Sequence, residues 1–532
     1  MDIAPVAWDP THCPGLATKH WSTDNVGEAA PGVLTPLTFS LWVELGEKAT
    51  RGAAYAIGGF TKQESLVPAA AEERFVRAFF GRVAMQAEFL AILGDRLPGT
   101  TGEEMIEGIF GRVAEDIDYR PTKRRYPAVA LRLPRTFVTM PKEIKRLAAV
   151  VDPWWRQRVA TLDTLDRDAA QALIAEGVRH FDRALYVQTL SVVGVMSPLF
   201  EALTKVIETT GIGDAGTLSG TGGAEMAIVA DIFAASRGRL ELDEVIRRHG
   251  FHGPLEGETL SRVWREDRSP LEKMVRAYEG KPDDADPKLR EPAARAEIAR
   301  MQGEILAALP ALQRPAVKRL LRLAADRLPL RGYAKRSFLQ AIDVTRGAAR
   351  RYGEHLVADG VLDDPDDVFF FTETELARPL PDGAKDLVAR RRERRELFQT
   401  LTFPGSWTGE LVPDLRSDRA ASEETTLTGI GVSAGVVEGL VRVVEDPAFT
   451  DVEDDEILVA PTTDPSWASI MFVSAALVVD IGGALSHAAV VARELGIPCV
   501  VNTRTGTSVL RTGDRVRVDG KAGTVEVLER AS

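Results

Sequence analysis

The pattern of hydrophobic residues changes near Leu427, and this change constrains the fold more than any other feature. Before it, apolar residues recur at the three- and four-residue spacing of amphipathic helices. After it, short β-branched runs alternate with glycine turns, and the pair Asp519 and Gly520 predicts a hairpin. The sequence therefore predicts a multidomain chain, with a mainly α-helical body followed by a compact domain of mixed strands and helices.

Composition divides the chain further. Residues 1–40 are rich in proline, glycine and threonine without helical periodicity, which predicts an extended, ordered lead-in. Residues 41–402 carry the helical patterns, residues 403–426 have the composition of a linker, and residues 427–532 form the last domain. A chain of 532 residues fits this division, because one domain usually takes roughly 150 residues.

Some segments carry more specific predictions. Residues 363–376, DDPDDVFFFTETEL, predict an acidic turn, a short aromatic strand and the start of a helix. The arginine-rich run 387–401 predicts a solvated helix. The apolar stripe of Phe79, Phe80, Met85 and Phe89 could line a lipophilic pocket, but apolar residues at helical spacing are usually core. Helices are predicted over 71–94, 172–208, 292–309 and 315–358.

Charge and composition argue against several classes of protein. The chain has 66 Lys+Arg against 78 Asp+Glu, a net charge of −12, which disfavours an electrostatic nucleic-acid surface. Cys13 and Cys499 have no metal-ligand spacing and suit a reducing compartment. No signal peptide and no bilayer-spanning apolar run is evident in the sequence. We therefore expect a cytoplasmic protein with no nucleic-acid partner, no membrane partner and no metal site of its own.

The stretch GGALSHAAVVARELGIPCVV, residues 482–501, places a histidine at the start of a predicted helix. Gly482 and Gly483 permit a tight turn after a buried strand, and Ser486 is a good N-cap. His487 then lies on the first helical turn, where free N–H groups favour a phosphoryl group. Histidine is also a competent nucleophile. A strand, turn and helix with one histidine can equally be structural, so these residues alone leave both interpretations open.

The same stretch resembles the phosphohistidine signature of phosphoenolpyruvate-utilising enzymes, which contains S-H-A-A-x-V-A-R-E-x-G-I-P. The segments GIGVSAGVVEGLVRVV, EILVAPTTDPSW and GDRVRVDGKAGTVEVL are similar to other parts of the same swivelling β/β/α domain. The resemblance implies that His487 is phosphorylated at one site and swings to deliver the phosphoryl group at another. Val479 stands where the family commonly has a threonine that could support the histidine. The residues implied to shape or bind at this loop are Ser486, Gly482, Gly483, Thr463 and Asp464.

The helical body resembles the acceptor-binding region of the rifampicin phosphotransferase family at WSTDNVGEAAPGVLTPLTFSLW, FHGPLEGETLSRVWREDRSPL and YGEHLVADGVLDDPDDVFFFTETEL. Such enzymes normally begin with an ATP-grasp domain, and no glycine-rich phosphate loop precedes the acceptor region here. The resemblance implies a split phosphotransferase. An ATP-grasp partner protein would bind ATP and Mg²⁺, and His487 would pass the phosphoryl group to a hydroxyl of an apolar small molecule, such as an antibiotic, a phenol or a lipophilic alcohol.

The segment RRHGFHGPLEGE, residues 247–258, supplies candidates for acceptor chemistry. His252, with Glu256, is a candidate catalytic residue, and either His252 or His249 could be a general base or could brace the loop. Relatives carry G-H-R-G-P-G-E here, so Phe251 and His252 replace a histidine and an arginine. The basic residues Arg331, Lys335 and Arg346 share one helical stripe, which is either a phosphate-binding face or, more commonly, a solvated one.

Two other functions stay open at this stage. The chain could be a non-catalytic binding or regulatory homologue, although its intact Gly-Gly-x-x-Ser-His argues against decay. It could also be a dehydratase that phosphorylates an alcohol transiently, in which case the product would lack both hydroxyl and phosphate.

Overall fold

The computed structural model describes residues 4–23, 26–30, 32–70, 73–110, 117, 119–213, 218, 224–280, 282–283, 286–415, 425–444, 452, 455–463, 467–483 and 486–531. Within them the chain forms a mostly helical body, residues 4–415, and a β-rich C-terminal lobe, residues 425–531. This is the coarse architecture that the hydrophobic pattern predicts.

Helices make up most of the body, and most are joined by short turns. Short π-helical turns occur at Ser40–Glu44 and Val192–Met196, and 3₁₀ turns occur at Leu162–Thr164, Leu328–Leu330 and Pro365–Phe370. The α-helices are α1 Val26–Ala29, α2 Pro36–Phe39, α3 Leu45–Ala56, α4 Ala87–Asp95, α5 Gly102–Phe110, α6 Tyr126–Val159, α7 Arg167–Ser191, α8 Ser197–Thr210, α9 Ala224–Ser236, α10 Leu242–His249, α11 Ser269–Glu279, α12 Pro287–Ala308, α13 Arg314–Arg327, α14 Arg331–Ala358, α15 Glu373–Leu376 and α16 Ala384–Gln399.

Helix α14 is the centre of the body. It packs against α6 and α7, and most of its residues are buried around the circumference. Glycines allow the close approach: a Cβ on Gly177 of α7 would lie 2.3 Å from Oγ1 of Thr345, and one on Gly353 would lie 2.1 Å from the carbonyl of Pro365. The central helix can therefore carry polar side chains into a packed interior.

A small antiparallel sheet lies on the body and overturns one helix prediction. Residues 71–94 do not form one helix, because β2 Val76–Phe79 and β3 Arg82–Gln86 form a hairpin before α4. Phe80 and Gly81 make its two-residue turn, both with positive φ, which matches the twist of paired strands. The apolar residues there are buried as expected, but on strands.

The segments predicted as lead-in and linker both contribute strands to this sheet. Its order is β2-β3-β1-β5, with β1 Leu16–Ser22 from the lead-in and β5 Ser406–Gly409 from the predicted linker. The short pair β4 Leu401–Thr402 and β6 Asp414–Leu415 adds a further contact. The described part of the predicted linker, 403–415, thus belongs to the body. Residues 416–424 lie outside the described part of the chain, so a linker there stays a prediction.

Two further local predictions differ from the structure. The aromatic segment within 363–376 is the 3₁₀ turn Pro365–Phe370 followed by α15, and not a strand. Helix α16 is not solvated all round either. Arg391 and Arg394 are buried, where Arg391 binds Glu375 at 2.8 Å and Arg394 binds Asp9 at 2.6 Å. Long arginine side chains can join a packed face through such ion pairs, which a charge pattern does not reveal.

The C-terminal lobe is one eight-stranded sheet in the order β7-β14-β13-β9-β10-β11-β12-β8. Strands β9 to β12 run parallel, and β10, β11 and β12 are buried along their whole length, which explains the continuous apolar sequences of these three strands. The elements are β7 Thr426–Thr428, β8 Ile430–Ser433, β9 Val436–Val443, β10 Ile457–Ala460, α17 Ala468–Val473, β11 Ala476–Val479, α18 His487–Leu495, β12 Cys499–Val501, α19 Gly506–Val509, β13 Arg515–Asp519 and β14 Thr524–Glu529.

One helical run in the described residues, Arg167–Thr210, is long and apolar enough to cross a membrane by length and composition alone. It comprises α7, the π-helical turn and α8, and its apolar face packs against α14 and α6. A single run of this kind is weak evidence for membrane insertion, because a core helix of a folded body can have the same length and composition. The cytoplasmic location stays a prediction.

Candidate functional site

The loop before α18 places His487 at the edge of the parallel sheet. Strand β11 is fully buried and ends at Val479, and α18 begins eight residues later. Ser486 caps the helix, because its Oγ accepts a hydrogen bond from the Ala489 N–H at 3.2 Å. The predicted strand, glycine turn and helix are therefore present, with His487 as the first helical residue.

His487 is held by a hydroxyl from the neighbouring loop. Its Nδ1 lies 3.1 Å from Oγ1 of Thr463, and only 2% of the residue is exposed. Val479 is buried in the sheet, so the hydroxyl that the sequence lacks at that position is supplied from Thr463. A Cβ on Gly482 would lie 3.1 Å from Oγ of Ser486, so the loop is already close-packed. Asp464 lies outside the described residues.

Asp480 fixes the other side of this loop, and sequence reasoning missed it. Its carboxylate accepts hydrogen bonds from the hydroxyls of Thr503 and Thr507 and from the backbone N–H groups of Gly506 and Thr507. Burial nevertheless raises the pKa of Asp480 above its ordinary value. The residue directly precedes Ile481 and Gly482, so this network ties the histidine loop to α19.

The body presents a loop between α10 and α11 to the same region. His252 Nδ1 lies 2.6 Å from Oε2 of Glu256, and Nζ of Lys335 lies 3.6 Å from Oε1 of the same carboxylate. Both His252 and Glu256 are buried. Burial alone would raise the pKa of Glu256, but His252, Lys335 and His487 together hold it below its ordinary value. His487 therefore lies within electrostatic reach of Glu256, which brings the two predicted regions, more than 200 residues apart in sequence, near each other.

His249 is paired separately. Its Nε2 lies 3.0 Å from Oδ2 of Asp231, which also binds Arg248 at 3.0 Å. Burial lowers the pKa of His249 to about 4, so the ring is neutral at pH 7 and its N–H donates to Asp231. His249 thus braces the loop, and His252 is the histidine next to the carboxylate that faces the lobe.

The predicted basic stripe does not act as one surface. Lys335 contacts Glu256, whereas Arg346 is completely buried and is not part of a solvated face. Arg346 donates to the backbone carbonyls of Glu256, Glu258 and Thr259 instead. Its helix turns one face toward the loop, and the long side chain reaches the carbonyls from inside the core.

Further contacts join lobe and body around His487. Nδ2 of Asn502 lies 3.5 Å from the carbonyl of Phe110, and Asn502 has φ of 60°. The side chain of Ile481 packs on Gly27, where an added Cβ would lie 3.6 Å from its Cδ1. Helix α17 also packs against α11. We call Thr463, Ile481, His487 and Asn502 the lobe face, and His252, Glu256, Lys335 and Phe110 the body face.

Three kinds of reactive group lie at these faces: the imidazoles of His487 and His252, the carboxylate of Glu256 and the ammonium of Lys335. His487 can attack phosphorus, His252 backed by Glu256 can accept a proton, and Lys335 can neutralise anionic oxygen. In the parts of the chain that the structure describes, no group of three or more His, Cys, Asp or Glu is placed to hold a metal ion.

Two family models match the regions that carry these faces. Residues 452–523 match the mobile domain of PEP-utilising enzymes, and residues 226–332 match the fourth domain of rifampicin phosphotransferase. The chain is rifampicin phosphotransferase-like. His487 falls in the first match, and His252 and Glu256 fall in the second.

Similar proteins support the same relationship. An uncharacterized protein of Mycobacterium tuberculosis is 39% identical over 241 residues, which cover 44% of this chain and 28% of that protein. A rifampicin phosphotransferase of a Streptomyces species is 38% identical over 216 residues, 40% of this chain and 25% of that protein. The rifampicin phosphotransferase of Bacillus subtilis is 31% identical over 214 residues, with the same coverage. The matched region thus spans about a quarter of the length of these relatives.

Solved structures add little. Aconitase X of Thermococcus kodakaraensis aligns over 20% of this chain and 100% of its own, at 24% identity and a TM-score of 0.17. A TM-score this low supports no structural comparison.

Proposed function

We propose that this rifampicin phosphotransferase-like chain is a phosphotransferase component in which His487 carries a phosphoryl group to a hydroxyl of a small molecule bound at the body face. An ATP-using partner protein, with Mg²⁺, would load His487 while the lobe is turned away from the body. The single observation that supports this most is that the lobe lies against the body at this place: Nδ2 of Asn502 is 3.5 Å from the Phe110 carbonyl, and His487 is close enough to Glu256 to help lower the pKa of that carboxyl.

The geometry suggests how the transfer would proceed. Thr463 engages Nδ1 of His487, so we assign the phosphoryl group to Nε2. With Nδ1 protonated, the P–N bond breaks and its electron pair returns to Nε2, which leaves a neutral imidazole. The acceptor oxygen forms the new P–O bond. Its proton passes to His252, whose ring is oriented by the Glu256 carboxylate.

Lys335 would neutralise part of the negative charge of the phosphoryl group during this step. Its ammonium lies beside Glu256, where an incoming phosphoryl group would otherwise meet a carboxylate. Phosphoryl transfer is promoted mainly by positioning and by neutralising the equatorial oxygens, and a lysine suits the second task. The acceptor itself is proposed to be an apolar alcohol or phenol, and rifampicin is the first compound to test because relatives are named for it.

The first test loads the histidine without any partner. We expect radiolabelled phosphoramidate, a small reagent that phosphorylates imidazoles, to label the wild-type chain and to give one equivalent less label in His487→Asn. A peptide map should place that label on His487. Equal labelling of both chains would overturn the proposal, because a carrier must reach solvent at some point in its cycle.

The second test concerns the donor. Labelled ATP and Mg²⁺ alone should leave His487 unlabelled, and adding an ATP-grasp protein encoded beside this chain should label it. Label that appears with ATP alone would rule out a separate ATP-using partner, while leaving the role of His487 intact.

A further inference from the structure

The loop that carries Glu256 has an unusual arrangement of backbone carbonyls. From Leu255 to Ser261 the chain forms neither helix nor strand, and among these carbonyls the described backbone hydrogen bonds are two turn contacts, from Glu258 N–H to the Leu255 carbonyl and from Ser261 N–H to the Glu258 carbonyl. Leu255, directly before Glu256, adopts φ of 51°, which costs a non-glycine residue about 1 kcal/mol. Such a conformation persists only where the surroundings hold it.

Side chains bind every carbonyl in this loop. Ser261 Oγ donates to the Leu255 carbonyl at 3.0 Å. Trp42 Nε1 donates to that of Gly257 at 2.8 Å. Arg350 Nη2 donates to those of Leu260 and Ser261 at 2.8 and 3.3 Å. The remaining three carbonyls, of Glu256, Glu258 and Thr259, accept from Arg346 at 3.2, 2.9 and 3.2 Å.

Arg346 holds this loop although burying its charged guanidinium group is unfavourable. It is fully buried, and the ion pair found for it among the described residues is a long one, with Oδ1 of Asp343 3.8 Å from Nη1. Asp343 itself binds Arg265 at 2.8 Å and Trp155 at 2.7 Å. Nη1 of Arg346 has no hydrogen-bond partner among the described residues. Burial of an arginine without a hydrogen-bonded carboxylate has a large desolvation cost, so we attribute its presence here to the loop geometry that it imposes.

The loop that Arg346 holds includes Glu256, which belongs to the proposed phosphoryl-transfer site. Arg346 donates to the carbonyl of Glu256, and the Glu256 carboxylate contacts His252 and Lys335 and lies within electrostatic reach of His487. A shift of the Glu256 backbone would therefore change its contacts with His252 and Lys335 together.

We propose that Arg346 is a positioning residue for phosphoryl transfer: it fixes the backbone of the Glu256 loop so that Glu256 orients His252 toward the group delivered by His487. This inference rests on the proposed function, since it assumes that discharge occurs at the body face. We expect it to act on discharge and not on loading, because the hydrogen bonds described for Arg346 all go to the body loop that carries Glu256.

The test separates loading from discharge. Chains loaded with labelled phosphoramidate are passed through a desalting column, and release of inorganic phosphate to water, the simplest acceptor, is followed at several pH values. We expect Arg346→Met to load His487 normally and to release phosphate at least tenfold more slowly, with the pH dependence of release flattened. Arg346→Lys, which keeps the charge and one donor, should recover part of the rate.

Arg350→Met is the matched control. Arg350 lies one turn further along α14 and binds the far end of the same loop, so its loss should slow release less than Arg346→Met does. The double variant Arg346→Met/Glu256→Gln should be no slower than Glu256→Gln alone, because both changes act through one carboxylate.

Folding is controlled separately. If Arg346→Met unfolds, as judged by far-UV circular dichroism, Arg346→Lys and Trp42→Phe are measured in its place. Trp42→Phe removes the donor to the Gly257 carbonyl of the same loop while keeping an aromatic side chain. Wild-type release rates and pH profiles in folded Arg346→Met or Arg346→Lys would overturn the positioning role. Multiplicative effects of Arg346→Met and Glu256→Gln would overturn it as well. An unlabelled wild type, or wild-type release from Glu256→Gln, would instead contradict the proposed function.

Discussion

The lobe face and the body face of this protein are built in opposite ways. The lobe face takes its histidine, its cap and its anchoring aspartate from eight consecutive residues, Asp480 to His487, with Thr463 from the neighbouring loop. The body face joins Glu256 to Lys335 and rests on Arg346 and Trp42, which are far apart in sequence. A site of the first kind is a local motif, whereas a site of the second kind exists only in the folded body.

The contrast has a chemical counterpart. In the proposed cycle His487 of the lobe face travels with the phosphoryl group, so its loss should affect both loading and discharge. In the same cycle the residues of the body face meet that group only at discharge, so their loss should affect that step alone. Testing whether the two faces can be separated in this way tests the proposed division of labour.

The largest expected effect follows from removing the carboxylate of the body face. Glu256→Gln should leave labelling of His487 unchanged but slow transfer to an acceptor by about 10²- to 10⁴-fold, because it removes the carboxylate that orients the general base His252 and general base catalysis contributes in this range. The measurement is label on the protein against label in the product, over time. Reduced loading of His487 in this variant would show that the two faces are not separable.

The sequence made the lobe face largely predictable. The strand, the glycine turn, the Ser486 cap and the helix beginning at His487 all follow from local patterns, and each is present. The bundle of helices in the body was predictable for the same reason. Asp480 was missed although it adjoins the motif, because its partners Thr503 and Thr507 come from the loop after the next strand.

The body face was predictable only in part. The pairing of His252 with Glu256 is local, and both were candidates from their polar loop. The role of Arg346 was not predictable, because a basic residue on a helix is usually solvated and nothing nearby in sequence shows that α14 is buried on all sides. The hairpin at 76–86 was missed because its apolar residues also fit a helix until Phe80 and Gly81 are seen to turn.

A second prediction sharpens the comparison through pH. Burial holds His249 of the body neutral, with its pKa near 4 against an ordinary value of about 6.5. The unfolded chain therefore binds the proton first as pH falls, so the free energy of unfolding of the body should decrease between about pH 6.5 and 4, by about 2 to 3 kcal/mol from this group.

His249→Gln should remove most of this dependence, because glutamine can still donate to Asp231 but does not titrate. The matched control is His355→Gln, whose ring bonds only to the carbonyl of Leu165 among the contacts described. Urea unfolding at several pH values, with hydrogen exchange to resolve body from lobe, measures both. A slope unchanged by His249→Gln would mean that other groups carry the acid sensitivity.

A third prediction addresses how the faces meet. Asn502→Ala removes the side chain that reaches the Phe110 carbonyl while leaving the histidine and the carboxylate in place. We expect the docked state to become less populated, with transfer slowed by no more than about tenfold, since one hydrogen bond contributes about 1 kcal/mol. Small-angle scattering should show a larger average radius. A slowing as large as that of Glu256→Gln would place Asn502 in the chemistry instead.

The smallest effect concerns the cap that makes the lobe face recognisable in the sequence. Ser486→Ala removes the acceptor of the Ala489 N–H, so α18 should lose about 1 kcal/mol of stability at its first turn. Hydrogen exchange at Ala489 should accelerate about fivefold, with Val491 less affected. His487 lies in that same turn, but it remains available to the reagent, so loading with phosphoramidate should remain near one equivalent. If loading instead fell as far as in His487→Asn, Ser486 would be part of the phosphoryl chemistry itself, and the lobe face would hold more than one reacting side chain.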